Sequence, residues 1–474
     1  MRAILVAGVA LLLLSCSMGP DYTPPKLDGE DRFRLADDQT DMPSLANVAW
    51  WELLHDEQLQ ELIRLALAEN KDLQHAVAAV DEFRARALIA RSDYMPGMTG
   101  AMSLPAGRKA NFLFPGFASP FNYYLLGNLA WEIDLWGRIR RSNEAARADL
   151  LSKEENRRAL TVELVSSVAE VYFNLLQSDT QLDIARRTLH SWEESTRIAQ
   201  ARLKQGLSSK LDLDQFESER AHAAARIAEL ERQMVQAENY LSMLIGRRPF
   251  AIPRGNVLGD QLVPPDVPAG LPSELLQRRP DILVAEQQLA AATARIGVAK
   301  AERFPKITLT GLLGAAHPEL SLLFTDASSF GVASAGVIGP ILNSQVLGFQ
   351  QEAAEAQSRQ ALAKYEQSVL TAFREVEDAL VAVRTARTQS EAQQQQVTAL
   401  QSALRLVELR YQGGLANYLE VLVSRRNLFE AELGMIATRR LHLVSVVQLY
   451  KALGGGWSPE AVPTEDEPPP SALY

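Results

Sequence analysis

The chain has 474 residues, with 48 Lys and Arg against 58 Asp and Glu, which gives a formal net charge of −10 at neutral pH. An acidic balance with no dense basic run argues against nucleic acid as a partner. The sequence contains no P-loop, dinucleotide-binding fingerprint, nucleophile elbow or zinc-protease helix, and its six histidines lack metal-ligand spacing. We therefore expect no enzyme activity, and neither a bound cofactor nor a metal.

The N-terminus predicts export. Residues 1–15 have a basic second residue, an apolar run and a small residue at the end, as in a secretory signal peptide, and the run is shorter than the ~20 residues of a transmembrane helix. The Leu-Leu-Ser before Cys16 resembles the lipobox of bacterial lipoproteins, in which the cysteine is acylated and becomes the first mature residue. The alternative is a signal-region thiol that is discarded. Ser17, in place of an aspartate, favours the outer membrane, and residues 16–44 are predicted to form a lipid-anchored, extended tether.

The first repeat, residues 45–249, begins with a helical pattern over residues 50–91 and then changes period. Residues 98–106 and 121–133 are predicted to be strands. In the second of these, apolar and polar side chains alternate over a length that suits a tilted strand in a bilayer, ~9–11 residues. This alternation predicts one face in lipid and one face in water.

A long helix follows the strands. Neither Pro nor Gly occurs between Gly137 and Gly206, which predicts a helix of roughly 100 Å at ~1.5 Å per residue. Only a coiled coil, a helical repeat or a tubular assembly holds a helix of that length. A turn at residues 206–208 leads into a second helix, and the Pro-rich residues 250–272 are predicted to connect two halves of the chain.

The second half of the chain repeats the first at an offset of 208–209 residues. Residues 273–455 therefore form a second repeat, with a helix predicted over about 273–303 and strands predicted at about 306–314 and 330–341. Residues 456–474 are predicted to be a disordered tail. The matched pairs include Asp72 and Asp281, Pro96 and Pro305, Arg202 and Arg410, Gly206 and Gly414, and Gly246 and Gly454.

Four transmembrane strands cannot close a barrel alone, and open sheet edges are not viable in lipid. The chain is therefore expected to assemble with copies of itself, and three copies would supply twelve strands. A soluble sheet with coiled-coil arms is the alternative that the residues by themselves leave open.

Three motifs carry a resemblance to a known family: Gly19-Pro20-Asp21-Tyr22, Trp136-Gly137-Arg138 and Arg279-Pro280-Asp281-Ile282. In this order and spacing they resemble the TolC-like outer membrane factor family, in particular the lipoprotein branch that serves resistance-nodulation-division efflux systems. The resemblance covers essentially the whole mature chain. It implies a mainly α fold with a small transmembrane β part, in a homotrimer whose twelve-stranded outer-membrane barrel continues as a long periplasmic α-helical barrel. It also implies docking to a periplasmic membrane-fusion adaptor and an inner-membrane transporter, with passive passage of substrates.

Two helix turns contain the candidate site residues. Asp212 and Glu420 each stand three residues after a polar N-cap residue, so a capping box accounts for both. The resemblance implies a second role, in which three-fold symmetry gathers six carboxylates into a cation-favouring ring at the periplasmic aperture. One side chain can serve both roles.

The departures from the family concern the gate of the aperture. Relatives commonly carry a further aspartate where this chain has Val423, and some carry an arginine where it has Ala416. The resemblance therefore predicts an aperture held shut by apolar packing around Leu419, Leu422 and Val423 rather than by a charged pair.

The glycines of both turns are C-cap candidates. The resemblance adds that adaptor hairpins dock against these turns, where glycine lets two backbones approach closely. The predicted docking residues are Gly206, Leu207, Ser208, Gly413, Gly414 and Leu415.

The predicted function is the exit duct of a tripartite efflux pump. The first alternative is a duct for type I protein secretion, which differs in partner rather than in structure. The second is a periplasmic scaffold lipoprotein with coiled-coil arms and no pore.

Overall fold

The computed structural model describes residues 17–25, 55–103, 123–262, 272–317, 319–340 and 344–455. The predictions for the signal peptide, for Cys16, for most of the tether and for the tail after residue 455 lie outside these ranges.

Both halves of the chain contain the same order of elements: two helices, two strands, one very long helix and a final helix. The first repeat has α1 (Glu57–Glu69), α2 (Lys71–Ser92), β1 (Gly97–Ser103), β2 (Tyr123–Ile133), α3 (Arg138–Lys204) and α4 (Lys210–Leu244). The second repeat has α5 (Pro272–Arg278), α6 (Pro280–Ala301), β3 (Lys306–His317), β4 (Ser329–Ile338), α7 (Ser344–Gln412) and α8 (Tyr418–Ala452). Short 3-10 helices lie at Leu258–Asp260, Leu320–Leu322 and Asp326–Ser328.

The described residues fall into two compact units. The sheet unit draws on residues up to 26, on 78–154 and on 284–367, and the helical unit draws on 27–77, 155–283 and the residues from 368 onward. The sheet unit contains one four-stranded antiparallel sheet in the order β1-β2-β3-β4. Its two outer strands, β1 and β4, have no partner on their outer edges among the described residues.

The continuous helices predicted over residues 50–91 and 273–303 are wrong at two places, one in each repeat. The first breaks at Asn70, whose backbone is extended (ψ 131°), and the second breaks at Arg279. The Asn70 amide donates to the carbonyl oxygen of Leu244 at 2.8 Å, and its side-chain oxygen accepts from the backbone of Leu73 at 2.9 Å. Because the side chain caps two helix ends at once, tertiary contacts override the local helical pattern.

At the break in the second repeat, a different side chain binds the end of the final helix. The Arg279 guanidinium donates to the carbonyl oxygen of Ala452 at 3.0 Å and pairs with Asp281 and Glu375. Residues 70 and 279 are equivalent in the repeat, as are residues 244 and 452, so each repeat closes its final helix against the break in its first helical segment.

Glycine is required where these ends meet. Gly246 and Gly454 have φ of +80° and +70°, in the left-handed region that other residues avoid. A Cβ at Gly246 would lie 2.3 Å from the carbonyl oxygen of Glu69, and one at Gly454 would lie 3.1 Å from the carbonyl carbon of Arg278. The duplication is thus visible in backbone geometry as well as in sequence.

A buried carboxylate ties α1 to the connection between the repeats. Asp56 caps α1 through the backbone of Gln58 and also accepts hydrogen bonds from Tyr172, Asn256 and Gln261. Burial raises the pKa of the Tyr172 hydroxyl, which stays protonated and donates to Asp56. A buried charge is stable only when it is fully hydrogen-bonded, and this network meets that condition.

Candidate functional site

One face of the sheet is apolar except at one end, where it includes His317 and Ser329. Opposed residues of paired strands point to the same side, so Met98, Leu129, Gly311 and Ala333 share a face. No Asp, Glu, Lys or Arg lies on this face within the described sheet. Its larger side chains are Met98, Met102, Tyr123, Leu125, Leu129, Trp131, Ile133, Ile307, Leu309, Leu313, His317 and Val337.

The opposite face of the sheet is mixed. It contains apolar side chains such as Leu126 and Leu312, but it also contains every charged side chain of the paired strands. The polar members are Thr99, Ser103, Asn128, Glu132, Lys306, Thr308, Thr310 and Ser334. A strand that is apolar on one side and polar on the other suits a barrel wall between lipid and a water-filled lumen.

The motif at residues 19–22 fastens the N-terminal segment to the sheet unit. Arg141, whose side chain is only 5% exposed, donates to the carbonyl oxygen of Met18 at 3.1 Å and to Asp21 at 2.6 Å. Gly19 has φ +88°, and a Cβ there would lie 2.5 Å from the Cα of Gly297. The Tyr22 hydroxyl donates to Glu286 at 3.2 Å. Gly19, Asp21 and Tyr22 of the motif therefore each have a specific contact.

The second motif forms the corner between β2 and α3. The Trp136 ring stacks on Phe304 at 4.8 Å and donates to the carbonyl oxygen of Pro305 at 2.8 Å. Arg138 makes a two-pronged ion pair with Glu132, at 2.8 and 2.9 Å. A bidentate pair of this kind fixes orientation, so the strand and the helix are held at a defined angle.

The two helix turns have the same hydrogen-bond geometry. At the end of α3, Leu207 donates to the carbonyl oxygen of Arg202 at 2.9 Å, and at the end of α7, Leu415 donates to that of Arg410 at 2.8 Å. Gly206 and Gly414 have φ of +75° and +73°. This is the Schellman ending, in which a left-handed glycine lets the chain satisfy the last free carbonyls of a helix.

Both predicted capping boxes are formed. Ser209 and Asp212 exchange side-chain to backbone hydrogen bonds at 3.1 Å each, and Asn417 and Glu420 do so at 3.0 and 3.3 Å. The backbone N–H of Ser209 and the hydroxyl of Ser208 donate to the Asp212 carboxylate and hold its pKa below the usual range. Asp212 is therefore an anion at neutral pH.

The two turns differ in one ion pair, which involves Glu420. Glu420 lies 3.6 Å from the guanidinium of Arg410, an ion pair that has no counterpart at Asp212. Leu207 and Leu415 project from the turns with 71% and 75% of their surface exposed. The turns thus present apolar tips beside carboxylates.

A polar contact joins α3 to α7 just before the turns. The Arg202 guanidinium donates to the Tyr411 hydroxyl at 2.5 Å and lies 5.5 Å from the centre of its ring. The sequence alone does not pair these two residues. Only the repeat match of Arg202 with Arg410 could have drawn attention to this residue.

An aromatic cluster lies directly behind this contact. Tyr418 packs 4.0 Å from Phe216 and 5.9 Å from Tyr411, and Phe216 packs 6.3 Å from Trp192. Leu422 is buried in the same cluster. Of the three residues expected to hold the gate by apolar packing, only Leu422 lies in this core, whereas Val423 is half-buried and Leu419 is exposed.

A sheet with one apolar face, combined with paired helices that end in exposed turns, defines a channel-type protein of the bacterial outer membrane. The chain belongs to the outer membrane efflux protein family, whose profile matches residues 62–247 and 271–455, one match in each half. It is therefore an outer-membrane protein that extends into the periplasm.

Named relatives match over nearly their whole length. The chain is 36% identical to the probable efflux pump outer membrane protein TtgC of Pseudomonas putida over 95% of each chain. It is 34% identical to the cation efflux system protein CusC of Escherichia coli over 94% of this chain and 98% of the relative. These relatives are named for efflux and not for catalysis.

Solved structures show the same fold. A crystal structure of CusC matches with a TM-score of 0.81 at 33% identity, covering 93% of this chain and all of that one. The open state of the Neisseria gonorrhoeae MtrE outer membrane channel matches with a TM-score of 0.83 at 30% identity, covering 93% of this chain and 98% of that one.

Proposed function

We propose that the chain is the outer-membrane exit channel of a tripartite efflux pump and conducts substrates passively as a homotrimer. The observation that carries this proposal is the sheet, whose apolar face has no charged side chain and whose two outer edges are unpaired among the described residues. Unpaired edges in lipid cost several kcal/mol per polar group, so the sheet requires closure.

Copies related by a rotation axis can pair these edges with one another and so close the sheet into a barrel. In the order β1-β2-β3-β4 neighbouring strands alternate in direction, so β4 of one copy meets β1 of the next in antiparallel fashion. Three copies give a twelve-stranded barrel, and the long helices α3 and α7 continue it as an α-helical barrel. Head-to-tail contacts of this kind form closed rings when the rotation closes.

The two turns are the proposed contact with the rest of the pump. Leu207 and Leu415 expose apolar surface at their tips, and Gly206 and Gly414 leave open space where a Cβ would stand. Another backbone can approach such positions closely. We propose that a periplasmic membrane-fusion adaptor, itself linked to an inner-membrane transporter, docks here through Ser208 and Gly413 as well.

The carboxylates beside the tips supply the proposed aperture. Three copies bring six acids, three from Asp212 and three from Glu420, into a ring that favours cations. Capping and ring formation are compatible at Asp212, whose second carboxylate oxygen takes no part in the cap. The second oxygen of Glu420 lies 3.6 Å from Arg410, so this acid contributes less negative charge to the ring than Asp212 does.

The lipid anchor completes the proposal. Arg141 and Gly297 hold residues 18–21 against the sheet unit, so an acyl chain on Cys16 would enter the membrane within a few residues of the channel wall. Labelling with radioactive palmitate tests this step, and a Cys16→Ser variant is the control.

Conductance tests the channel directly. Full-length protein purified in detergent is expected to run as a heat-labile trimer and to give discrete conductance steps in planar bilayers. A monomer without conductance contradicts the proposal and favours the pore-free scaffold. Complementation of a strain that lacks its own exit channel separates the rivals: restored drug resistance supports efflux, and restored toxin export alone supports type I secretion.

A further inference from the structure

The mixed face of the sheet changes character along its strands. At the end that adjoins the helices it carries charged and hydroxyl side chains, and the hydroxyls of Thr310 and Ser334 contact each other at 2.7 Å. At the opposite end, β3 and β4 have no polar side chain on this face within their paired residues. The polar end contains Glu132, Lys306, Thr308, Thr310 and Ser334, and the apolar end, which we call the outer patch, contains Leu126, Leu312, Phe330 and Val332.

The side chains of the outer patch form one continuous surface. Leu312 and Val332 are directly opposite each other on β3 and β4, with 36% and 59% of their surface exposed. In the next row of paired residues, Gly314 lies between Leu126 and Phe330. A Cβ at Gly314 would lie 2.6 Å from Cδ2 of Leu126, so the Leu126 side chain extends over this glycine. The polar neighbours of the patch on this face, all on β1 or β2, are Thr99, Ser103, Tyr124 and Asn128.

The position of the outer patch limits what can cover it. In the proposed barrel the apolar face of the sheet lies in lipid, so the patch faces the lumen, where neither the bilayer nor a folded partner protein reaches it. A barrel of about eight strands is filled by its own side chains, and the diameter grows with strand number, so twelve strands leave a passage for solutes. The lumen of such barrels is ordinarily polar, because exposed apolar side chains are unfavourable in water. The patch therefore fits a solute that has apolar surface of its own.

We propose that the outer patch is a transit site for amphiphilic organic solutes. Three copies place three such patches around the lumen, on the extracellular side of its polar half, so a substrate meets them last. Conduction requires binding that is favourable enough to admit a solute and weak enough to release it, and a shallow patch on an open wall meets both conditions. This inference rests on the proposed channel and adds its substrate class, which is molecules with apolar surface rather than fully hydrated inorganic ions.

Block of the single-channel current tests the site in the full-length protein in planar bilayers. Tetraphenylphosphonium, a cation with an apolar surface, is expected to lower the potassium current through the wild type, whereas tetramethylammonium has the same charge and should not do so at the same concentration. Leu312→Thr combined with Val332→Thr removes apolar surface from the patch. This double variant should raise the concentration of tetraphenylphosphonium that gives half block by roughly 3- to 10-fold. Equal values for the double variant and the wild type would overturn the inference.

A matched control lies at the other end of the same face. Ile338, on β4, is opposite Lys306, so Ile338→Thr makes the same kind of change outside the patch and should leave the block unaltered. The reverse change, Thr310→Val combined with Ser334→Val, extends the patch towards the helices and should lower the concentration for half block. If Ile338→Thr weakens the block as much as the patch variant does, the effect does not arise at the outer patch and the inference fails.

Labelling shows whether solutes reach the patch. Val332→Cys, treated during the recording with a positively charged methanethiosulfonate reagent, should lose current in steps, and the wild type, which controls for Cys16, should not. A cysteine at position 332 that stays unreactive in a conducting channel would mean that another segment of the chain covers the patch, which overturns the inference.

Two outcomes separate this inference from the proposed function. If the wild type conducts and tetraphenylphosphonium does not block it, the assigned substrate class is wrong and the channel stands. If the wild type gives no conductance, the proposed channel itself fails, and the transit site fails with it.

Discussion

At the ends of α3 and α7, Arg202 and Tyr411 join the two helix turns of one copy through a single exposed hydrogen bond. Removing the hydroxyl with Tyr411→Phe keeps the ring contacts with Tyr418 and removes this link. An exposed hydrogen bond contributes about 0.5–1.5 kcal/mol, so we expect the open probability in planar bilayers to rise by roughly 2- to 10-fold. Arg197→Ala is the control, because Arg197 pairs with Glu194 on its own helix. Equal open probabilities for wild type and Tyr411→Phe would show that the contact does not hold the aperture.

Asp212 and Glu420 are expected to set ion selectivity as well as to cap helices. Asp212→Asn combined with Glu420→Gln keeps the shape of both side chains and removes the charge, so cation selectivity measured from reversal potentials should fall. Ser209→Ala is the control, since it weakens the cap and leaves the acids in place. Selectivity that survives the double substitution leaves only the capping role.

The lowered pKa of Asp212 gives the stability that this residue contributes a defined pH dependence. Because its pKa in the folded protein is lowered, the stability it contributes is fully present above the unfolded value of ~3.9 and is lost as pH falls through the folded value. Asp212→Asn should therefore lower the unfolding temperature at neutral pH, and the difference from wild type should vanish in strong acid. A difference that grows as the pH falls would contradict the assignment.

For single residues, the sequence predicts contacts within one helix turn but not contacts between residues far apart in the chain. Both capping boxes and both left-handed glycines can be read from short spacings, because a cap needs only residues within one turn. The Arg202–Tyr411 contact joins residues on different helices, and no local pattern reports that these helix ends adjoin. The expectation of an aperture held shut by packing around Leu419, Leu422 and Val423 came from the resemblance to a family, and it stays a prediction because the aperture would form between copies.

At the scale of elements, the strands are the segments proposed to lie in the membrane. Leu129→Arg places a charge on the apolar face of β2, where such a substitution costs ~2–4 kcal/mol near the bilayer centre. Asn128→Arg places the same charge on the mixed face and is the matched control. We expect heat-labile trimer in outer membranes to fall sharply for Leu129→Arg and little for Asn128→Arg. The same yield for both variants would mean that the apolar face is not in lipid.

The helices and strands also show which sequence patterns predict structure correctly. Period-two alternation predicted a strand at 121–133, and β2 occupies Tyr123–Ile133, because successive side chains of a strand point to opposite faces of the sheet. The absence of Pro and Gly predicted the length of α3. The break at Arg279 has a local signal that the predicted helix overlooked, because the residue before Pro280 avoids the helical conformation. The break at Asn70 has no proline beside it and depends on the end of α4, more than 170 residues away.

For the whole molecule, the breaks at Asn70 and Arg279 are the points where the final helix of each repeat contacts the first helical segment of the same repeat. A neutral amide makes this contact in the first repeat, and a charged guanidinium makes it in the second. Arg279 is 5% exposed and links Ala452, Asp281 and Glu375. Arg279→Ala removes the donor to the carbonyl of Ala452 and the hydrogen bonds to two carboxylates that are 43% and 36% exposed, so it should cost ~2–4 kcal/mol. Asn70 is neutral, and Asn70→Ala leaves only uncapped backbone groups, at ~1–3 kcal/mol. Thermal unfolding in detergent should therefore rank wild type above Asn70→Ala and Asn70→Ala above Arg279→Ala. The reverse order would mean that the ion pairs of Arg279 contribute little to the stability of the second repeat. The packing at the glycine turns would then be what holds each repeat closed.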